Sequence, residues 1–184
     1  MVIRHKFFYL NLFTAVAVLG IVNSALFWQF WYHDLPCPLC LLQRIGFAAV
    51  GIGFWMNTRF GDHPTHYGIA LIGALYTLAA AGRQMLLHIA PGTGSYGDPL
   101  FGLHLYTWSV ITALLLITWS AVLLLLHSSG TAAPSSHAIP PHFAKSLVDF
   151  LLVLTILLLL GNALSTLWEC GFYPCPDNPT HYKW

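Results

Sequence analysis

Apolar residues in this chain fall in long, nearly uninterrupted runs, not in alternating or heptad patterns: Phe8–Phe30, Leu41–Met56, Tyr67–Ile89, Leu103–Leu126 and Leu147–Leu167. Crossing the hydrocarbon core takes about 20 apolar residues as a helix, with a lower limit near 17. The second run is the shortest and reaches that limit once its first turn, with Gln43 and Arg44, is placed at the interface. The first run follows Arg4 and Lys6, but it is too long for the core of a signal peptide and no small-residue cleavage site follows it. The pattern predicts an all-α, polytopic membrane protein. Its single membrane domain, residues 1–184, is an antiparallel bundle of five transmembrane helices with an outer C-terminal tail over 168–184.

Charge changes the picture by giving it a direction. Only 7% of the residues are charged and 57% are apolar, against roughly 25% charged in soluble domains. A net charge of +1 carries no nucleic-acid signal. Arg4, Lys6, Arg59 and Lys145 fall on one side of the runs. Lys183 falls on the other, with Asp34, Asp98, Glu169 and Asp177. Cations concentrate inside, so the bias predicts an N-in/C-out topology. The segments Asn57–His66 and Ala90–Gly102 are short connections, and His127–Ser146 reads as a flexible inner linker. His63, His66, His127, His137 and His142 read as solvated inner-loop residues. Trp28, Trp31, Tyr32, Tyr106, Trp108, Trp168 and Trp184 read mostly as an outer aromatic belt.

The four cysteines form two close pairs, Cys37/Cys40 and Cys170/Cys175. Five spans in the predicted topology put both on the outer face, where disulfides persist. Cys37 and Cys40 stand in Pro-Cys-Pro-Leu-Cys, where a loop enters the second run. Unpaired N–H groups and the helix dipole stabilise a thiolate there, and Arg44 adds a fixed cation one turn further on. A dithiol so placed can exchange disulfides with water-soluble partners and hand electrons to an acceptor in the lipid. A structural disulfide and half of a zinc site are the other uses of a CxxC pair. Cys170 and Cys175 are five residues apart; a disulfide between them needs a chain that turns back, which Gly171 and Pro174 suit. Such a loop serves either as a shuttle to a partner or as a static clasp.

The stretch Cys-Pro-Leu-Cys-Leu-Leu-Gln-Arg at 37–44, with Gly82-Arg83-Gln84 near the outer end of the third run, resembles the DsbB family. The resemblance implies a thiol:quinone oxidoreductase of the bacterial inner membrane. Such a protein reoxidises a periplasmic DsbA-type thiol oxidase and passes the electrons to ubiquinone or menaquinone. It further implies that Cys37 exchanges with the second pair, that Cys40 faces the quinone, and that Arg44 is the cation at the quinone ring. The familiar DsbB pattern has four spans and carries its second cysteine pair between spans three and four. Here that segment, Ala90–Gly102, has no cysteine, and a fifth span brings Cys170 and Cys175 to the same side. The chain therefore looks like a five-span variant.

Arg83 is a further intramembrane cation, and His88 and His104 flank the third connection. Each is a candidate quinone contact. The simpler alternatives are snorkelling for the arginine and a satisfied interfacial position for the histidines. No metal set is predicted. A haem or metal protein using His88 and His104 would leave the CxxC pair unexplained, and a scaffold with two structural disulfides would leave Arg44 unexplained.

Overall fold

The computed structural model describes residues 2–32, 37–90, 92, 94–95, 99–127 and 142–171. Cys175, Asp34, Asp98, Asp177, Lys183, His137 and Trp184 lie outside the described residues. The described chain forms five helices: α1 (Val2–Tyr32), α2 (Pro38–Phe60), α3 (Pro64–Leu87), α4 (Leu105–Leu126) and α5 (His142–Cys170). All five are long and apolar enough to cross a membrane.

Most helices run past the apolar stretch that marks them. α2 begins at Pro38, three residues before the apolar run, because Pro38 suits the first helical position and Cys37 caps the end. The segment Asn57–His66, expected to be a connection, is almost all helix. α2 continues to Phe60 and α3 starts at Pro64, with only Gly61–His63 between them. The turn is this tight because Gly61 takes a φ of 98° and His63 caps α3, its Nδ1 accepting the N–H of Thr65 at 3.3 Å. α5 likewise runs to Cys170, so the start of the expected tail is helical.

Small residues set how closely α2 and α3 approach. A methyl group on Gly46 would stand 2.8 Å from the carbonyl oxygen of Gly73, and one on Gly73 would stand 2.8 Å from that of Gly46. Lipid offers no hydrophobic drive between helices, so backbone proximity of this kind is a main source of their association. The apolar core around this seam includes Val18, Leu19, Phe47, Phe54, Leu116 and Leu158, drawn from α1, α2, α4 and α5. α5 contributes a stripe of Leu151, Thr155, Leu158, Asn162 and Ser165, all buried, at the three- and four-residue spacing of one helix face.

Two polar clusters sit at opposite ends. At the end where α2 meets α3, Asn57 Nδ2 donates to Asn11 Oδ1 (3.0 Å) and Asn11 Nδ2 donates to the Tyr67 hydroxyl (3.0 Å). Tyr67 in turn donates to Asp62, which also meets His127 Nδ1 at 3.1 Å. Asn57 Oδ1 takes the backbone N–H of His63 and faces His66 Nδ1 at 2.9 Å. His66 and His127 are thus parts of a network, not the solvated loop groups expected, because α2 runs past its apolar stretch, α3 starts before its own and His127 caps the end of α4. The other cluster surrounds the first cysteine pair.

Candidate functional site

Cys37 occupies the N-cap of α2. Its carbonyl accepts the N–H groups of Cys40 (2.9 Å) and Leu41 (3.1 Å), and its sulfur accepts the Cys40 N–H at 3.2 Å. Both sulfurs therefore lie at the helix N-terminus, where unpaired N–H groups and the dipole favour negative charge. Cys37 and Cys40 are free thiols; Cys37 is buried and Cys40 half-buried. The side-chain hydrogen bond with Cys40, followed by burial, pushes the Cys37 thiol well above its usual range, so Cys37 keeps its proton in the reduced pair.

Arg44 lies one turn beyond Cys40 on α2. It is only 8% exposed, and its guanidinium donates to Gln29 Oε1 at 2.5 Å and to the Ala25 carbonyl at 3.3 Å, both on α1. Gln29 Nε2 donates to Ser165 Oγ on α5. The chain Arg44–Gln29–Ser165 ties three helices together beside the thiols. It gives the buried cation hydrogen-bond partners, where an unpaired one would be expensive.

From α3 comes Gln84, 2% exposed, which touches both cysteines. Its Nε2 is 3.0 Å from Cys37 Sγ and 3.6 Å from Cys40 Sγ. Its Oε1 accepts from Gln43 Nε2 at 2.7 Å, with Cys40 Sγ 3.7 Å away. The close α2–α3 seam at Gly46 and Gly73 brings this residue to the head of α2.

The other expected site residues fall elsewhere. Arg83 is exposed on α3, and among the described residues no side-chain hydrogen bond or ion pair holds it. His88 and His104 come together around buried Tyr106, stacked on its ring at 5.6 and 5.3 Å. The Nδ1 of His88 is buried with no hydrogen-bond partner among the described residues. Tyr106 is thus buried and packed between histidines, whereas Trp28, Trp31 and Trp168 are exposed. Cys170 ends α5, buried and disulfide-bonded, and neither Cys37 nor Cys40 is its partner. Among the described residues no group of His, Cys, Asp and Glu is arranged to hold a metal ion.

Gln43 and Gln84 stand in the two motifs but were given no role, and sequence reasoning passed over Gln29 and Ser165. Their one signal was an uncharged polar side chain within or beside an apolar run, at the same end as the CxxC pair.

Residues 6–96 match a family model described as "Disulfide bond formation protein DsbB". The chain is 44% identical over 66 residues to Disulfide bond formation protein B of Methylobacillus flagellatus, covering 36% of this chain and 39% of that one. It is 42% identical over 86 residues to the protein of that name from Chromobacterium violaceum, covering 44% and 51%. With the one from Cupriavidus metallidurans it shares 30% over 90 residues, covering 48% and 56%. The chain thus spans about half the length of the curated relatives it matches. No solved structure matches it. α4 and α5, with Cys170 and Ser165, lie outside the matched residues. Residues 6–96, which carry Cys37, Cys40, Arg44 and Gln84, are thus the part of the chain that is similar to the DsbB family.

Proposed function

We propose that this chain is a thiol:quinone oxidoreductase of a bacterial inner membrane, with both cysteine pairs on the periplasmic side. In this reading it reoxidises a periplasmic DsbA-type thiol oxidase and passes the electrons through two cysteine pairs to a membrane quinone. The observation that carries the reading is a free dithiol at the N-terminus of a spanning helix, with a buried arginine one turn further on.

In this reading the electrons pass through the two pairs in turn. A thiolate of the reduced partner attacks the disulfide that holds Cys170, forming a mixed disulfide. The partner's second thiolate resolves it, leaving the partner oxidised and Cys170 and Cys175 as the dithiol. One of these sulfurs then attacks Cys37 in a Cys37–Cys40 disulfide, and Cys40 departs as thiolate; the other tail sulfur resolves the mixed disulfide, re-forming the Cys170–Cys175 bond and leaving Cys37 and Cys40 as the reduced pair. A membrane quinone, ubiquinone or menaquinone, would supply the acceptor for two electrons and two protons. Arg44 stabilises the Cys40 thiolate and is placed to stabilise negative charge developing beside it. Over one cycle the partner loses two electrons and two protons, and the four cysteines return to two disulfides. Arg83 and His88, at the end of α3 that carries Gln84, and His104 at the N-cap of α4 are further candidate quinone contacts in this reading.

The test is quinone reduction by the purified protein with a reduced DsbA-type oxidase as donor. Turnover lost in both Cys40→Ser and Cys170→Ser/Cys175→Ser supports the relay through two pairs. Activity retained in the double variant but lost in Cys40→Ser makes the tail pair a clasp, with the partner attacking Cys37 directly. No turnover in the wild type overturns the reading.

A further inference from the structure

A buried glutamine amide in a membrane span needs partners for one carbonyl oxygen and two N–H groups. Gln84 finds them in an unusual set. Its oxygen takes Gln43 Nε2 at 2.7 Å, and its nitrogen is within reach of two sulfurs, at 3.0 and 3.6 Å. The amide–amide bond is the tighter contact, so Gln43 fixes which end of Gln84 faces the cysteines. An NH2 group carries two protons, and here there are two sulfurs. Cys40 Sγ also lies 3.7 Å from Oε1, a contact open to a thiol S–H but closed to a thiolate, which only accepts.

We propose that Gln84 is a positioning residue for the Cys37–Cys40 pair: its amide, clamped by Gln43, holds N–H donors on both sulfurs and stabilises the reduced, anionic form of the pair. This rests on the reading of that pair as redox-active. Apart from the cysteines, the charged or titratable side chains nearest along the two helices are Arg44 on α2 and Arg83 and His88 on α3. None of these three is hydrogen-bonded to Gln84 among the described residues. A mere tie between α2 and α3 would also use these contacts, but its loss would change stability alone.

The two roles separate in the full-length protein in detergent. The measurements are the equilibrium of the Cys37–Cys40 pair with glutathione and the pH profile of its alkylation. Gln84→Leu keeps the bulk and removes the donors. The equilibrium should move about tenfold toward the disulfide, a potential about 30 mV more negative, with the alkylation profile displaced toward alkaline pH. Gln84→Glu, which replaces the donors with a carboxylate, should move both further. Gln43→Leu, which only frees the amide to turn, should move them less and in the same direction. A wild-type equilibrium and profile in folded Gln84→Glu and Gln43→Leu overturns the proposal, whatever Gln84→Leu does to folding. Shifts as expected in a protein that fails to reduce quinone would keep this inference and remove the oxidoreductase reading.

Discussion

The two ends of the helix bundle bury similar numbers of polar side chains and use them differently. At the α2–α3 turn, Asn11, Asn57, Asp62, Tyr67 and His127 are joined by hydrogen bonds into one fixed network. At the head of α2, the groups at the centre are two thiols that change both protonation and oxidation state, and the amides around them are the fixed part. Satisfied buried networks rigidify a structure. Reactive groups instead need surroundings that remain satisfied through each state of the reaction. The far end therefore reads as the lock that aligns α1 to α4, and the cysteine end as the place where chemistry is done. α5 belongs to the second end: Ser165 and Cys170 reach the cysteine end from a helix outside the family match.

The largest test of this contrast is Arg44→Gln. Losing a preorganised charge beside the reacting sulfur should lower quinone turnover by about 100-fold or more, measured as initial rate over a range of quinone concentrations. Retained turnover would make Arg44 a structural partner of Gln29 and erase the difference between the ends.

Next is Gly73→Val, which forces side-chain bulk into the α2–α3 seam. Overpacking of this kind costs about 1–3 kcal/mol. Because the seam brings Gln84 to the cysteines, thermal stability and the alkylation rate of the pair should change together. A change in melting temperature alone would show that the seam does not set the site.

At the far end, Tyr67→Phe removes the hydroxyl that bridges Asn11 and Asp62. A lost buried hydrogen bond costs about 1–3 kcal/mol, and thermal unfolding in detergent should show it. Cysteine alkylation and quinone turnover of the folded variant should stay at the wild-type level. A change in either would couple the two ends.

The smallest effect expected is an order of labelling. Cys40 is half-buried while Cys37 is buried and holds its proton, so limited alkylation followed by peptide mapping should mark Cys40 first.

Much of this was legible in the sequence. Uninterrupted apolar runs give five spans because lipid compatibility is a property of composition. Pro-Cys-Pro-Leu-Cys announces a helix start with its thiols at the anion-favouring end. Helix ends were less legible, since Asn57, Thr58 and His66 continue their helices in spite of being polar. The contacts of Gln84 were the least legible, although the segment that holds it was singled out. Which polar residues of different spans meet depends on helix rotation, and rotation here is set by where Gly46 and Gly73 let two backbones approach. Hydropathy says nothing about that. The same limit hid Gln29 and Ser165: Gln29 meets Arg44 through the packing of α1 on α2, and Ser165 meets Gln29 through that of α5 on α1.

The central claim is that the Cys37–Cys40 pair gives its electrons to quinone. The most direct measurement is a single turnover: the fully reduced protein is mixed anaerobically with a short-chain quinone, and the thiols at each cysteine are counted by mass spectrometry. The account predicts that one quinone reduced removes two thiols and that Cys40→Ser stops the reaction. Quinone left unreduced while Cys37 and Cys40 remain as thiols would contradict it.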